Sequence, residues 1–316
     1  MGISRRGFFR AAGAAAAFAL SRPALSAGGG EPEKSLVVEA ASGAWRNEEG
    51  DVDSAVVGRM VRRSVTRLTG ADGPEAAWSS LFQPGEIVGL KFNNVSKDFT
   101  GANQALLDAT VAGLGSAGVP PEDIVLVEAK NVRFEGRPKQ GGWTDEQYDF
   151  GSGKTVLSRF ITQQVDAVVN VANLKDHDVA AFTGCLKNIS HSWNVITKSH
   201  RFHDGACNPY IADINMLEPV RSRLRLHIMN GLKGIFAKGP GPTTPQFQWE
   251  HNRIMFSFDP VAVDTIGAEL VDRARAEHGG QAFRRDPRPL RYLATAAERG
   301  LGTDDPARIE RVLLEV

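Results

Sequence analysis

Hydrophobic positions recur with period two in several short runs and with helical spacing between them, and the two patterns alternate along most of the chain. "EIVGLKFNN" (86–94) sets Ile87, Gly89 and Phe92 as a short strand that ends in Lys91, Asn93 and Asn94. "NQALLDATVAGLGSAG" (103–118) carries Leu106, Leu107, Val111 and Leu114 at helical spacing and stops at Gly118. "PPEDIVLVEA" (120–129) is a turn followed by a strand from Ile124 to Val127. A strand, a helix and a strand in that order imply a crossover and a parallel pair. The same grammar continues through "VLSRFITQQ" (156–164, helix) and "VDAVVNVANL" (165–174, strand). "RLHIMNGL" (225–232) and "RIMFSF" (253–258) read as strands. "DPVAVDTIGAELVDRARAE" (259–277) reads as a helix with Asp259 as N-cap and Pro260 as first helical residue. "DPARIERVLLEV" (305–316) closes with a short helix and a terminal strand. The class this predicts is α/β: a three-layer, mainly parallel sheet with helices on both faces.

The first residues follow a different logic. "MGISRRGFFRAAGAAAAFALSRPALSAGGG" joins the pair Arg5-Arg6 and Phe8-Phe9 to an Ala-rich apolar run and a small-residue cleavage site at Ala24-Leu25-Ser26 before Ala27. The apolar run, about ten residues, falls short of the roughly 20 that cross a bilayer. Residues 1–27 therefore resemble a twin-arginine signal peptide, 28–35 read as a linker, and 36–316 as a single α/β domain. The partner this implies is the twin-arginine translocase, with a periplasmic or extracellular address and no stable membrane span after processing. Proteins with such signals cross the membrane folded, often with a cofactor already loaded.

Composition removes some classes. Lys plus Arg and Asp plus Glu number 37 each, so no global field argues for nucleic acid or an anionic membrane. Cys185 and Cys207 are the only cysteines, too few to hold an iron–sulfur cluster of the chain's own; whether they pair is open at this stage. "GSGKT" (151–155) lacks the upstream glycine of a phosphate loop, a position held by Tyr148, and no strand precedes it.

The local chemistry is concentrated. Six of seven histidines lie between His177 and His251, and neutral imidazole both binds metals and titrates near neutrality. His200, His203 and Cys207 have short metal-ligand spacing, although an exposed basic loop gives the same letters. His227, inside a strand, is as readily a core histidine. In α/β sheets ligands sit beyond the carboxyl ends of the strands, where both 91–94 and 173–177 fall. Lys175, His177 and Lys187 should converge there if 178–190 folds as a turn and a helix over the strand, with Thr183 and Gly184 admitting a ligand to the backbone amides. Two ammonium groups and an imidazole suit a carboxylate, a phosphate or a developing enolate. Clustered lysines also depress one another's pKa, which makes Lys175 or Lys187 a usable base.

The blocks "VGLKFN", "AGVPPEDIVLVE", "VDAVVNVANLKDHDVAAFTGCLKN", "CNPYIADIN" and "FSFDPVAVDTIG" together resemble the domain of unknown function numbered 362, over residues from about 86 to 272. Some members of that family carry ferredoxin-like cysteine motifs, which this chain lacks.

The expectation is an exported enzyme, dependent on a metal or cofactor, that acts on a small anionic carboxylate or phosphate. His177, Lys175, Lys187 and His191 form the catalytic set. Lys91, Asn93, Asn188, Asp213 and Arg201 bind substrate, and His177, His191 and His203 leave room for a divalent metal. The alternative is a periplasmic ligand-binding or redox-accessory protein without turnover. Phe202, Trp193, Trp249 and Phe247 are candidate walls of the pocket, and the segment 238–251 a candidate lid.

Overall fold

The computed structural model describes residues 34–93, 95, 100–129, 131–241, 245–279 and 290–316, the side chains of 100–102 excepted. The expected signal peptide and the expected linker up to Glu33 lie outside the described residues, as do Asn94 and the middle of the expected lid, 242–244. Lys34–Val316 forms one compact unit.

In chain order the strands are β1 (Ser35–Ala41), β2 (Val88–Lys91), β3 (Ile124–Val127), β4 (Tyr148–Asp149), β5 (Lys154–Thr155), β6 (Ala167–His177), β7 (Ala181–Thr183), β8 (Leu224–Ile235), β9 (Gln248–Ser257) and β10 (Ile309–Glu315). The helices are α1 (Ser54–Thr69), α2 (Pro74–Leu81), α3 (Thr100–Ser116), α4 (Cys185–Ser190), α5 (Tyr210–Met216), α6 (Glu218–Arg221), α7 (Pro260–His278) and α8 (Arg291–Glu298). The main sheet has the order β10-β1-β9-β8-β6-β2-β3, and β7 pairs with β6. Along that path β9 alone runs against the others: it is antiparallel to both β1 and β8, while every other neighbouring pair is parallel. The sheet is thus mainly parallel, as the alternation of elements predicts. The crossover from β2 through α3 to β3 gives the parallel pair expected from 86–129.

Side chains of the strands alternate between two cores, as the period of two requires. Val38, Leu90, Val169, Val171, Leu226, Ile228 and Phe256 pack beneath α1, α2 and α3. Val37, Ala172, Leu174, Met229 and Met255 pack beneath α7, α8 and the α4–α5 pair. Val125, Val127 and Val168 meet Phe160, Ile161 and Ile214 on the same side. These are the three layers. The first helix, absent from the sequence reading, is clearly signalled: Asp53 caps the Ala55 and Val56 amides, and Gly70 closes it at φ 69°.

Three boundaries differ from expectation. The stretch 156–164 is helical only in its second half, as a single π-type turn at Phe160–Gln164, while 156–158 are extended. Strand β6 runs on to His177, so Lys175 and His177 stand within it, and the chain turns back at 178–180 to pair β7 with its end. Strand β9 begins at Gln248 and takes up the last residues of the expected lid. The "GSGKT" segment is the turn and second strand of the β4–β5 hairpin, where exposed Lys154 pairs with Asp149 at 3.2 Å.

Candidate functional site

The carboxyl ends of β2, β3 and β6 are neighbours because those strands are parallel and adjacent. Each delivers a charged side chain to the same edge, and α4 is laid against them. All six residues of α4 are buried, including Lys187 and Asn188. Its first turn is held by Asp264 of α7, whose carboxylate accepts from the Cys185 amide at 2.6 Å and the Leu186 amide at 3.0 Å. The amides that the sequence reading assigned to a ligand are therefore occupied by protein. Burial raises the Asp264 carboxyl to about 7 despite those two hydrogen bonds. Gly184 is the residue that permits this approach, since a Cβ there would lie 2.2 Å from Asp264 Oδ1. We expect Gly184→Ala to lower stability by about 1–3 kcal/mol, read from the urea midpoint, because neither backbone nor carboxylate has room to move.

Behind the site is a buried polar network with Asn188 at its centre. Lys91, fully buried, donates to Asn188 Oδ1 at 2.8 Å and to the Phe92 carbonyl at 2.6 Å, and forms an ion pair with Glu128 at 2.9 Å. The Asn188 amide donates to Asn170 Oδ1 at 2.7 Å and to the Val171 carbonyl at 3.1 Å. Asn93 donates to Asn188 Oδ1 at 3.0 Å and accepts from Lys175 Nζ at 2.8 Å. Asn170 donates to the Cys185 carbonyl and meets His227 Nδ1, which makes His227 a core histidine. Lys91 and Asn188 are accordingly scaffold: their polar atoms are turned to protein, not to a substrate. Glu128, just past β3, also accepts from Ser192 Oγ and, at 2.8 Å, from Asn194 Nδ2. Burial pushes its carboxyl up, but Lys91 and these donors together hold it below the ordinary value.

In front of that network stand Lys175 and Lys187. Both are buried, and among the described residues neither has a carboxylate within ion-pair distance. Burial, with the Lys187 and Lys91 ammonium groups nearby, lowers Lys175 to about 7; burial lowers Lys187 to about 8. Lys187 Nζ lies 3.3 Å from His203 Nε2. The His203 ring stacks on His177, centroids 5.6 Å apart, and meets His191 edge-on at 4.8 Å. So Lys187 and His177 both touch one ring, and the cationic side chains after β6 share one centre.

The histidines are not equivalent. His177 Nδ1 accepts from the Val179 and Ala180 amides at 3.1 and 3.2 Å, which places the proton of its neutral ring on Nε2. His191 Nε2 donates to the Phe202 carbonyl at 2.9 Å, and its Nδ1 lies 2.8 Å from Ser190 Oγ. Burial and the Lys187 charge keep both His191 and His203 below the ordinary imidazole value. One donor atom each from His191, His203 and Cys207 lie within 4.8 Å of one another. Cys207, not His177, completes that trio. Both cysteines are free and buried.

Other expected members are placed elsewhere. Asp213 is paired with Arg299, just past the end of α8, at 3.0 Å, so its charge is matched there instead of among the lysines. Arg201 is exposed in a 3-10 turn. Phe202 packs on Phe150 and Tyr210, Phe247 and Trp249 on Phe236, and Trp193 is 71% exposed; none forms a common wall. His251 sits near Arg253 on β9, lowered to about 4 chiefly by burial. Glu128 and Asp264 carry no role in the sequence analysis, and Cys207 appears there only as a candidate ligand beside His200 and His203. Glu128 was the accessible one, since it follows a predicted strand at the same edge as Lys91.

Neither the curated proteins nor the solved structures yield a match to the chain. The segment from β4 to the middle of α7 contributes Lys175, Lys187, the three clustered histidines, Cys207 and Asp264, whereas Lys91, Asn93 and Glu128 come from the chain before it. That segment, residues 145–269, is matched by the model of the family described as Domain of unknown function (DUF362), which supports the family resemblance over this part of the chain.

Proposed function

We propose that the protein is an exported enzyme that binds a small carboxylate or phosphate between Lys175 and Lys187 and moves a proton with one of these amines. The observation that carries the reading is the pair of buried lysines without a carboxylate partner among the described residues. A buried ammonium lacking a counter-charge is costly, and an anionic ligand supplies the missing charge. The same burial leaves an amine that is neutral part of the time near pH 7, the form a general base requires. The rigid layer of Asn93, Asn188, Lys91 and Glu128 holds Lys175 Nζ in place from behind. Export by the twin-arginine route belongs to this proposal and rests on Arg5-Arg6 and the apolar run alone.

A second reading, ligand binding without turnover, is favoured by one observation: His177 Nδ1 accepts from two main-chain amides and His191 Nε2 donates to a main-chain carbonyl, so these two imidazole nitrogens are turned to the backbone and not to a substrate proton. Titration calorimetry with oxalate and with inorganic phosphate tests what both readings share. We expect one site per chain with a dissociation constant at or below about 1 mM, weakened about tenfold or more by Lys187→Met. The exposed control Lys154→Met should bind as the wild type does. Absence of binding, or equal binding by Lys187→Met, refutes the proposal. Proton exchange at carbon next to the oxalate-like carboxylate of a 2-hydroxy acid, followed by deuterium incorporation, separates enzyme from binder.

A further inference from the structure

We infer that His191, His203 and Cys207 form a metal site for a borderline-soft divalent cation such as zinc, with an open coordination position toward Lys187. This goes beyond the anion reading and does not need it. The three residues come from two separate segments, the end of α4 and the 3-10 turns that follow, and their donor atoms all lie within 4.8 Å of one another. Two imidazoles and a thiolate are a donor set that zinc takes in sites with three protein ligands and one exchangeable position.

Outer hydrogen bonds support the assignment. A carbonyl oxygen only accepts, so His191 Nε2 and His203 Nδ1 must be the protonated nitrogens toward Phe202 and His200, at 2.9 and 3.2 Å. Each ring is thereby fixed in one tautomer by a main-chain carbonyl, the support that metal-bound imidazoles ordinarily have. The remaining nitrogens carry lone pairs, now directed to Ser190 Oγ and Lys187 Nζ. Cys207 is fully buried, in a backbone conformation with φ 65° that follows two more left-handed residues, Gly205 and Ala206. The other thiol, Cys185, is spoken for differently: it points to the Ile228 carbonyl beneath α4, and Asp264 approaches its amide. Binding releases the Cys207 thiol proton to solvent as the sulfur–metal bond forms, with no change of oxidation state.

Cobalt(II) and zinc(II) titrations of the full chain test this. We expect one cobalt per chain with a thiolate-to-cobalt charge-transfer band, displaced by zinc. Cys207→Ser should abolish the band and weaken binding at least tenfold, and Cys185→Ser should leave both unchanged. Should Cys207→Ser not fold, X-ray absorption at the zinc edge of the unmutated protein decides: one sulfur at about 2.3 Å and two nitrogens at about 2.0 Å support the site. No stoichiometric binding, binding without sulfur, or a band that survives Cys207→Ser overturns it. Because no anion enters these measurements, failure of the phosphate and oxalate titrations leaves the metal result standing, and the reverse holds too.

Discussion

Lys175→Met is expected to lose about a hundredfold in affinity for oxalate or phosphate, ~2–3 kcal/mol, while the folded protein becomes more stable near neutral pH. The two effects share a cause. Lys175 is fully buried, bonds Asn93 Oδ1, and has no adjacent carboxylate among the described residues. Its ammonium form is therefore resisted by burial and by Lys187 and Lys91, against a smaller pull from Glu128, which brings its value down to about 7 from 10.5. Between those two values the unfolded chain holds a proton that the folded chain does not, so stability rises with pH across that window. Below about pH 7 the charge is present in both states and its full cost falls on the folded one; toward about pH 10 the cost disappears. The gain from methionine, which fills the same space without charge, should thus be largest on the acid side and shrink as the pH rises. Urea midpoints of the two proteins at several pH values check the sign. Binding measured in two buffers of different ionisation enthalpy at about pH 8 should also reveal proton uptake by the wild type and less by the variant. A variant less stable than wild type at every pH contradicts the burial of an uncompensated charge.

The second large effect belongs to the scaffold. Lys91→Met is expected to cost about 3–5 kcal/mol, because it leaves Glu128 buried without its cation. It also strips a donor from Asn188 Oδ1 and from the Phe92 carbonyl. Adding Glu128→Gln should recover a good part of that loss, since a neutral amide needs no counter-charge and can still meet Ser192 and Asn194. The double-mutant cycle from denaturation midpoints gives the coupling. A loss under about 1 kcal/mol for Lys91→Met would mean the pair is solvated and the network around Asn188 is not rigid.

These two lysines show where sequence reading succeeds and where it stops. Lys91 and Lys175 were recognisable because charged residues at the ends of apolar strands are costly unless they have a task, and parallel strands gather their ends at one edge. Which lysine would be matched by a carboxylate was not recognisable. Glu128 reaches Lys91 only because β3 lies beside β2, and Arg299 reaches Asp213 only because α8 lies beside α5. Ion-pair partners far apart in sequence leave no spacing signature. The turn after β6 was expected, but the extension of β6 to His177 and its pairing with β7 were hidden for another reason: Lys175, Asp176 and His177 break the apolar run that marks a strand. Asp176 is tolerated there because Arg275 of α7 and the Gly239 amide meet it. Cys207 shared the spacing signal of His200 and His203, but only the fold turns His200 outward and brings His191 in.

The function proposed for this edge of the sheet depends on an anion lying between two particular amines. A crystal structure of the protein with bound oxalate tests that most directly. The expected result is oxalate oxygens within about 3 Å of both Lys175 Nζ and Lys187 Nζ, with Lys91 still on Glu128. Oxalate ordered elsewhere, with both amines still turned to Asn93 and His203, would contradict it.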